Sequence, residues 1–202
     1  MFMVKYNISF SERTVHMIES LLHLDGSILL FIQEFLRNPL LTPIMRVVTT
    51  LGNNGAIWIL LTIFLLVFPR TRRVGCMLTA ALIGTLLINN IILKNLVART
   101  RPYEVIEGLT YLVKKPTDFS FPSGHSGCAF AAACIMFRRL PGKYGVPALI
   151  LAIVISLSRL YVGVHYPSDV LFGIISGIVI SYVAEWIVGR LWKISPETSE
   201  SE

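Results

Sequence analysis

Charge is what this chain has least of. Charged residues make up 15% of its 202 positions, where a soluble domain carries about 25%. With 54% hydrophobic residues and a mean hydropathy of +0.68, the deficit argues against a water-soluble domain and for a membrane protein. Cysteine is also sparse. Cys76, Cys128 and Cys134 all lie in apolar runs without a CxxC pair or a Cys/His cluster of zinc spacing, so they read as small buried residues and no metal site is expected. A cleavable signal is missing too, because Ser9 to Asp25 is too polar for its hydrophobic region; an uncleaved apolar helix is expected to direct insertion. The net charge of +6 is spread through short loops rather than gathered in a stripe, which excludes a nucleic-acid face. No internal repeat or low-complexity segment is present.

What is abundant is long apolar sequence. Five stretches are apolar enough to enter a bilayer: Leu51–Phe68, Val74–Leu93, Ser126–Phe137 (extendable back to Pro122), Tyr144–Val162 and Val170–Gly189. A spanning helix needs about 20 residues, so the third is short unless its polar start is included. Small residues recur in these runs, including Ala129, Ala131, Ala132, Ala133, Gly173 and Gly177, and let helices approach closely. The expected fold is an all-α integral membrane helical bundle of five or six transmembrane helices with N-terminal amphipathic helices. Residues 1–50 are read as the amphipathic part, 51–193 as the transmembrane catalytic bundle and 194–202 as a disordered tail.

Within the first fifty residues, Ser9-x-x-Glu12 resembles a capping box, and Val15, Ile18 and Leu22 mark an apolar stripe that ends at Asp25-Gly26. Ile28–Leu36 is too short to span, and Asn38-Pro39 ends it. Helices at the interface or packed on the bundle fit this pattern; insertion of Val15–Leu36 as a poor sixth span is the alternative. The basic residues set an orientation. Arg70, Arg72 and Arg73, then Arg138, Arg139 and Lys143, then Arg190 and Lys193 fall on one side of five alternating spans, which the positive-inside rule makes cytoplasmic.

The opposite ends of the spans collect Lys94, Arg101-Pro102, Ser123-Gly124-His125, Ser158-Arg159, His165 and Asp169. Ionisable residues at membrane depth are costly and usually mark function. Three cations, two of the chain's four histidines and a carboxylate on one face make an anion site with acid–base equipment. Each also has a plainer reading. Lys94 and Arg101 alone suit snorkelling anchors, His125 a capping residue, Asp169 a partner of the helix dipole, and Arg159 a structural pair with Asp169. His16 and His23 read as surface positions. Asn89 and Asn90 read as interhelical hydrogen-bonders, and Lys114 and Lys115 as solvated charges.

In order and spacing, Lys94-x6-Arg101-Pro102, Pro122-Ser123-Gly124-His125 and Ser158-Arg159-x5-His165-x3-Asp169 resemble the three-part signature of the type 2 phosphatidic acid phosphatase superfamily. That group includes membrane lipid phosphatases and is related to vanadium haloperoxidases and bacterial acid phosphatases. The resemblance implies that His165 attacks phosphorus and forms a phosphohistidine. It implies that Asp169 holds the tautomer of His165, and that His125 protonates the leaving oxygen and then activates water. Lys94, Arg101, Arg159, Ser123 and Gly124 would bind the phosphate, with no metal and no cofactor. Elementary chemistry agrees with those roles: phosphoryl transfer spreads negative charge over three oxygens, which fixed donors and a helix N-terminus can stabilise.

The expected reaction is hydrolysis of a lipid phosphate or diphosphate at the outer leaflet of a cell membrane, in a multi-pass and bacterial protein. Phosphatidylglycerol phosphate, phosphatidic acid, polyprenyl diphosphate and a lipid A phosphate are the implied candidates, with membrane lipids as the surroundings. Some polyprenyl diphosphate phosphatases of the family carry Asp where this chain has Gly124. A non-catalytic protein that binds or flips anionic lipids is the rival reading, and the intact pair of histidines argues against it. A vanadate-dependent peroxidase is a remote third, disfavoured by the apolar composition. The long segment Tyr103–Phe121 suits a lid or specificity loop. Oligomeric state is not legible.

Overall fold

A computed structural model describes the backbone of residues 12–194 and the side chains of residues 19–192. Ser9, the side chains of His16 and Lys193, and the tail 195–202 lie outside the described residues. The order is α1 (Glu12–Phe31), α2 (Leu41–Leu51), α3 (Ala56–Val67), α4 (Arg72–Thr85), α5 (Lys94–Val97), α6 (Pro102–Val105), α7 (Gly124–Arg139), α8 (Gly142–Tyr161) and α9 (Pro167–Ile194). A π-helical stretch, Ile32–Leu36, extends α1, and another, Leu86–Leu93, joins α4 to α5. No strand occurs among the described residues.

The centre of the bundle is α7, packed against α4, α8 and α9. Its buried positions are mostly small, with Ala129, Ala131, Ala132 and Ala133 fully buried beside Phe130, Ile135 and Met136. Close packing is what holds helices together where lipid is as apolar as leucine. Gly177 on α9 shows how close the approach is, because a Cβ there would stand 2.5 Å from the Gly127 carbonyl oxygen.

The outer faces are apolar as well. Ile150, Ile153 and Leu157 on α8 and Leu171, Ile175, Val179, Val183 and Trp186 on α9 repeat at helical spacing and are exposed. Apolar residues both inside and out are the pattern of helices in lipid. Three helical runs are long and apolar enough to cross a membrane: Arg72–Val105, Gly142–Tyr161 and Pro167–Trp192. A fourth forms if α2 and the run Asn53–Val67, bent by 49°, count as one span. Helix α7, with 16 residues, is shorter than a full span.

The first helix buries one carboxylate and exposes most of its large apolar residues. On α1, Asp25 and Leu29 point into the protein, while Leu21, Leu22, Leu24, Leu30 and Phe31 are exposed. Gln33 and Arg37 beyond it bind the loop that follows α6: Thr110 donates its N–H to Gln33 Oε1 at 2.8 Å, and Arg37 donates to the Thr110 carbonyl at 2.9 Å. His23 is exposed, as its surface reading requires.

Three of the loop arginines meet α9 toward its C-terminal end. Arg138 and Arg139 both bind the buried Glu185 of α9 at 2.7 Å, and Arg73 reaches toward Gly189 near the end of α9. The Lys94–Asp169 constellation lies at the other end, where α5 begins, α7 and α9 begin and α8 finishes.

Replacing Gly177 with Leu forces α7 and α9 apart. Overpacking of this kind costs about 1–3 kcal/mol, so thermal unfolding in detergent should show a lowered midpoint, while Gly84→Ala, which adds one methyl and meets only the Cγ2 methyl of Ile180, should shift it less.

Candidate active site

Lys94, Arg101 and Arg159 are 6%, 4% and 4% exposed, so three cations are withdrawn from solvent around one space. Each is placed by its own element. Asn90 and Lys94 are four residues apart in the helical run that joins α4 to α5, and both line one cavity. Asn89 faces the other way and donates to Ser176 Oγ of α9 at 2.9 Å. Arg101 caps α6 with Pro102 behind it in the first helical position. Its guanidinium donates to the Val164 carbonyl at 2.6 Å and lies 3.4 Å from His165 Nε2. Arg159, in the last turn of α8, donates to Thr49 Oγ1 of α2 at 2.6 Å. Its buried Nε has no hydrogen-bond partner among the described residues.

Ser123 is the N-cap of α7 and accepts a hydrogen bond from the Ser126 N–H. Gly124 and His125 follow as the first two helical residues, with their backbone N–H groups at the positive end of the helix. A Cβ on Gly124 would stand 2.4 Å from Asn90 Oδ1, so a side chain here requires Asn90 to move. His125 Nε2 lies 3.1 Å from Asn53 Oδ1.

His165 lies in the turn between α8 and α9, and Asp169 in the first turn of α9, with Pro167 as its first residue. The Asp169 Oδ2 atom is 3.5 Å from His165 Nδ1, a contact looser than a well-formed hydrogen bond. The same oxygen accepts from Ser120 Oγ at 2.5 Å and from the Tyr166 N–H at 3.0 Å. Burial pushes the His165 imidazole down from 6.5 to about 3 against the pull of Asp169, which keeps it neutral and able to attack. The alternative of an Arg159–Asp169 pair is not what forms. Asp169 Oδ1 is held by Arg99 at 2.6 Å.

Two spaces meet at these residues. An apolar trough of about 710 Å³ is lined by Ile59, Ile63 and Leu66 of α3 and by Leu82, Ile83 and Leu86 of the α4 run; it ends on Asn90, Lys94, Gly124, His125 and His165. A polar groove of about 990 Å³ is lined by Arg46, Thr49, Lys114, Lys115, His125 and Arg159. His125 and Asp118 border both. All eight residues singled out in the sequence thus gather around this junction.

Several neighbours were not singled out. Arg99, Asp25, Ser120, Thr49 and Asn53 carry no motif spacing that would reveal them. Asp118, on the loop after α6, pairs with Lys94 and also binds Arg101 at 2.6 Å. Burial by itself would raise its carboxyl, but the two cations outweigh that and hold it at about 2, below the usual 3.8. Lys114 and Lys115 are exposed, and Lys115 pairs with Glu104 at 2.7 Å.

Fold and site together define a helical membrane protein with a buried cationic pocket at one end of the bundle. The chain belongs to the PAP2 superfamily, whose family model matches residues 73–193. It is 34% identical over 128 residues to the undecaprenyl-diphosphatase of Sulfolobus acidocaldarius, covering 63% of this chain and 62% of that protein's length. Among solved structures, Aquifex aeolicus LpxE superposes with a TM-score of 0.69 at 28% identity, covering 81% of this chain and 93% of that one. The first transmembrane PAP2 type phosphatidylglycerolphosphate phosphatase from Bacillus subtilis superposes with a TM-score of 0.67 at 25% identity, covering 88% and 89%.

Two predictions follow from the charges. Phosphate must compete with the Asp118 carboxylate for Lys94 and Arg101. Asp118→Asn should therefore tighten inhibition by inorganic phosphate by several-fold, equivalent to about 1 kcal/mol for a partly exposed pair. A Ki that rises instead would mean that Asp118 builds the site rather than competing for it. His165 binds its proton more weakly in the folded than in the unfolded chain, so its contribution to stability is complete above pH 6.5 and is lost as pH falls toward 3. Thermal scans of wild type from pH 7 to 4 should fall more steeply than those of His165→Gln.

Proposed function

We propose that the protein is a metal-independent lipid phosphatase that hydrolyses a lipid phosphate or diphosphate through a phosphohistidine on His165. The observation that carries this reading is the apolar trough between α3 and α4, which ends on Lys94, His125 and His165. Such a trough accepts the hydrocarbon of an amphiphile while its phosphate reaches the cations.

In this mechanism Lys94, Arg101 and Arg159, with the N–H groups at the start of α7, hold the three non-bridging oxygens of the phosphoryl group. Neutral His165 attacks phosphorus through Nε2, and the lipid-bearing oxygen leaves. Asp169 offsets the positive charge that grows on the imidazole. His125 gives its proton to the departing oxygen, then takes one from the water that cleaves the phosphohistidine and releases inorganic phosphate. Arg159, whose Nε has no hydrogen-bond partner among the described residues, is suited to meet a substrate oxygen.

Relatives named as an undecaprenyl-diphosphatase and as a phosphatidylglycerolphosphate phosphatase support a lipid substrate without choosing one. The contact between Gly124 and Asn90 disfavours the Asp-bearing arrangement of some polyprenyl diphosphate phosphatases, so a monophosphate or a headgroup phosphate is the first substrate to test. In this proposal the protein is multi-pass with five or six crossings, and the basic loops at the end opposite the site favour an extracytoplasmic active site. In this reading the bundle 51–193 carries the chemistry, and residues 1–50 support it.

The test is phosphate release from a panel of lipid phosphates by purified protein in EDTA. Wild type should turn over at least one lipid, and His165→Ala should lose at least about a thousandfold, as loss of a nucleophile does. Activity that vanishes in EDTA, or survives in His165→Ala, contradicts the mechanism. His125→Ala should lose about a hundredfold or more on the lipid, but much less in the first step with p-nitrophenyl phosphate, whose leaving group needs no proton.

A further inference from the structure

Asp25 lies on α1, outside the segment that the family model matches, yet it is buried, 5% exposed, and its carboxylate faces the catalytic end. Its Oδ1 accepts the Ser168 backbone N–H at 2.9 Å. Its Oδ2 accepts the Ser168 hydroxyl at 2.5 Å and an Arg99 N–H at 2.8 Å. Arg99 in turn donates to Asp169 Oδ1 at 2.6 Å and to Ser168 Oγ at 2.7 Å, with its guanidinium stacked 3.7 Å over the Tyr166 ring. The result is a row of alternating charge, Asp25, Arg99, Asp169, that ends 3.5 Å from His165 Nδ1.

We propose that Asp25 is a positioning residue for the histidine nucleophile, acting through Arg99 and the first turn of α9. The role rests on the phosphohistidine reading above. Two physical effects support it. A carboxylate from α1 caps the N-terminus of α9 at Ser168, fixing the turn that carries Asp169. Asp25 also shares the charge of Arg99. Without it, the full guanidinium charge falls on Asp169, which then offsets the developing imidazolium of His165 less well. A mere clamp between α1 and α9 needs only the contacts from Asp25 to Ser168. The guanidinium bridge to the nucleophile's own carboxylate adds a link to the reaction.

The experiment uses the full chain in detergent with its best lipid phosphate, measuring kcat, KM, inhibition by inorganic phosphate and thermal stability. Asp25→Asn keeps the shape and removes the charge. It should lower kcat about tenfold while KM and the phosphate Ki stay within about twofold, and Asp25→Glu should recover part of the lost kcat. Unchanged kcat with a lowered unfolding temperature would show a clamp only and overturn the role. A parallel rise in the phosphate Ki overturns it as well, because the damage would then lie in the anion pocket. Ser168→Ala keeps the reading testable if Asp25→Asn does not fold: it should give a smaller fall in kcat at constant KM, and no fall overturns the role. His165→Ala is run alongside. If that variant stays active, the histidine mechanism fails and takes this role with it; if it is dead while Asp25→Asn turns over like wild type, only the role of Asp25 fails.

Discussion

Three buried cations at one end of a helical bundle are the constraint around which the rest of the protein is arranged. Lys94, Arg101 and Arg159 come from three different elements, and like charges at low dielectric repel strongly. They stay together because oxygens are brought to them: the Asp118 carboxylate, the Val164 carbonyl and the Thr49 hydroxyl. The compensation is incomplete, since Arg159 Nε has no hydrogen-bond partner among the described residues. In the proposed mechanism a tetrahedral anion completes this pocket. Removing one partner of such a set leaves an uncompensated buried charge, the expensive outcome in any interior.

Packing serves that arrangement. The row of alanines on α7 and the glycines of α9 bring two helix N-termini side by side, so the Ser123–His125 turn and the Pro167–Asp169 turn face the same space. The backbone ties them directly, since Ser123 donates its N–H to the Asp169 carbonyl at 3.1 Å. Function here is a property of helix ends held close by small residues.

Much of the site is legible in the sequence because its residues stand at fixed spacing within three short segments. Lys94 with Arg101, Ser123 to His125, and Arg159 with His165 and Asp169 each sit on or beside one helix end, and periodicity places helix ends well. The supporting residues are illegible for the opposite reason. Asp25 and Ser168 are 143 positions apart, and Thr49 and Arg159 are 110 apart, so no local pattern connects them. Asp25 looks like the polar end of an amphipathic stripe, whereas in the fold it is buried beside Leu29 while Leu21, Leu22, Leu24 and Leu30 are exposed. Arg99 is hidden by Arg101, its neighbour in the same motif. The number of crossings is also hard to read: α3 has 12 residues and α7 has 16, each less than a span, and their place in the bundle comes from neighbours rather than from length.

The central claim is that His165 carries the phosphoryl group between the two half-reactions. Rapid mixing with a lipid phosphate labelled in its phosphorus, an alkaline quench and peptide mapping address it most directly. The account predicts acid-labile label on the peptide that contains His165. Steady turnover with label on another residue, or with no covalent label at any time, would contradict it.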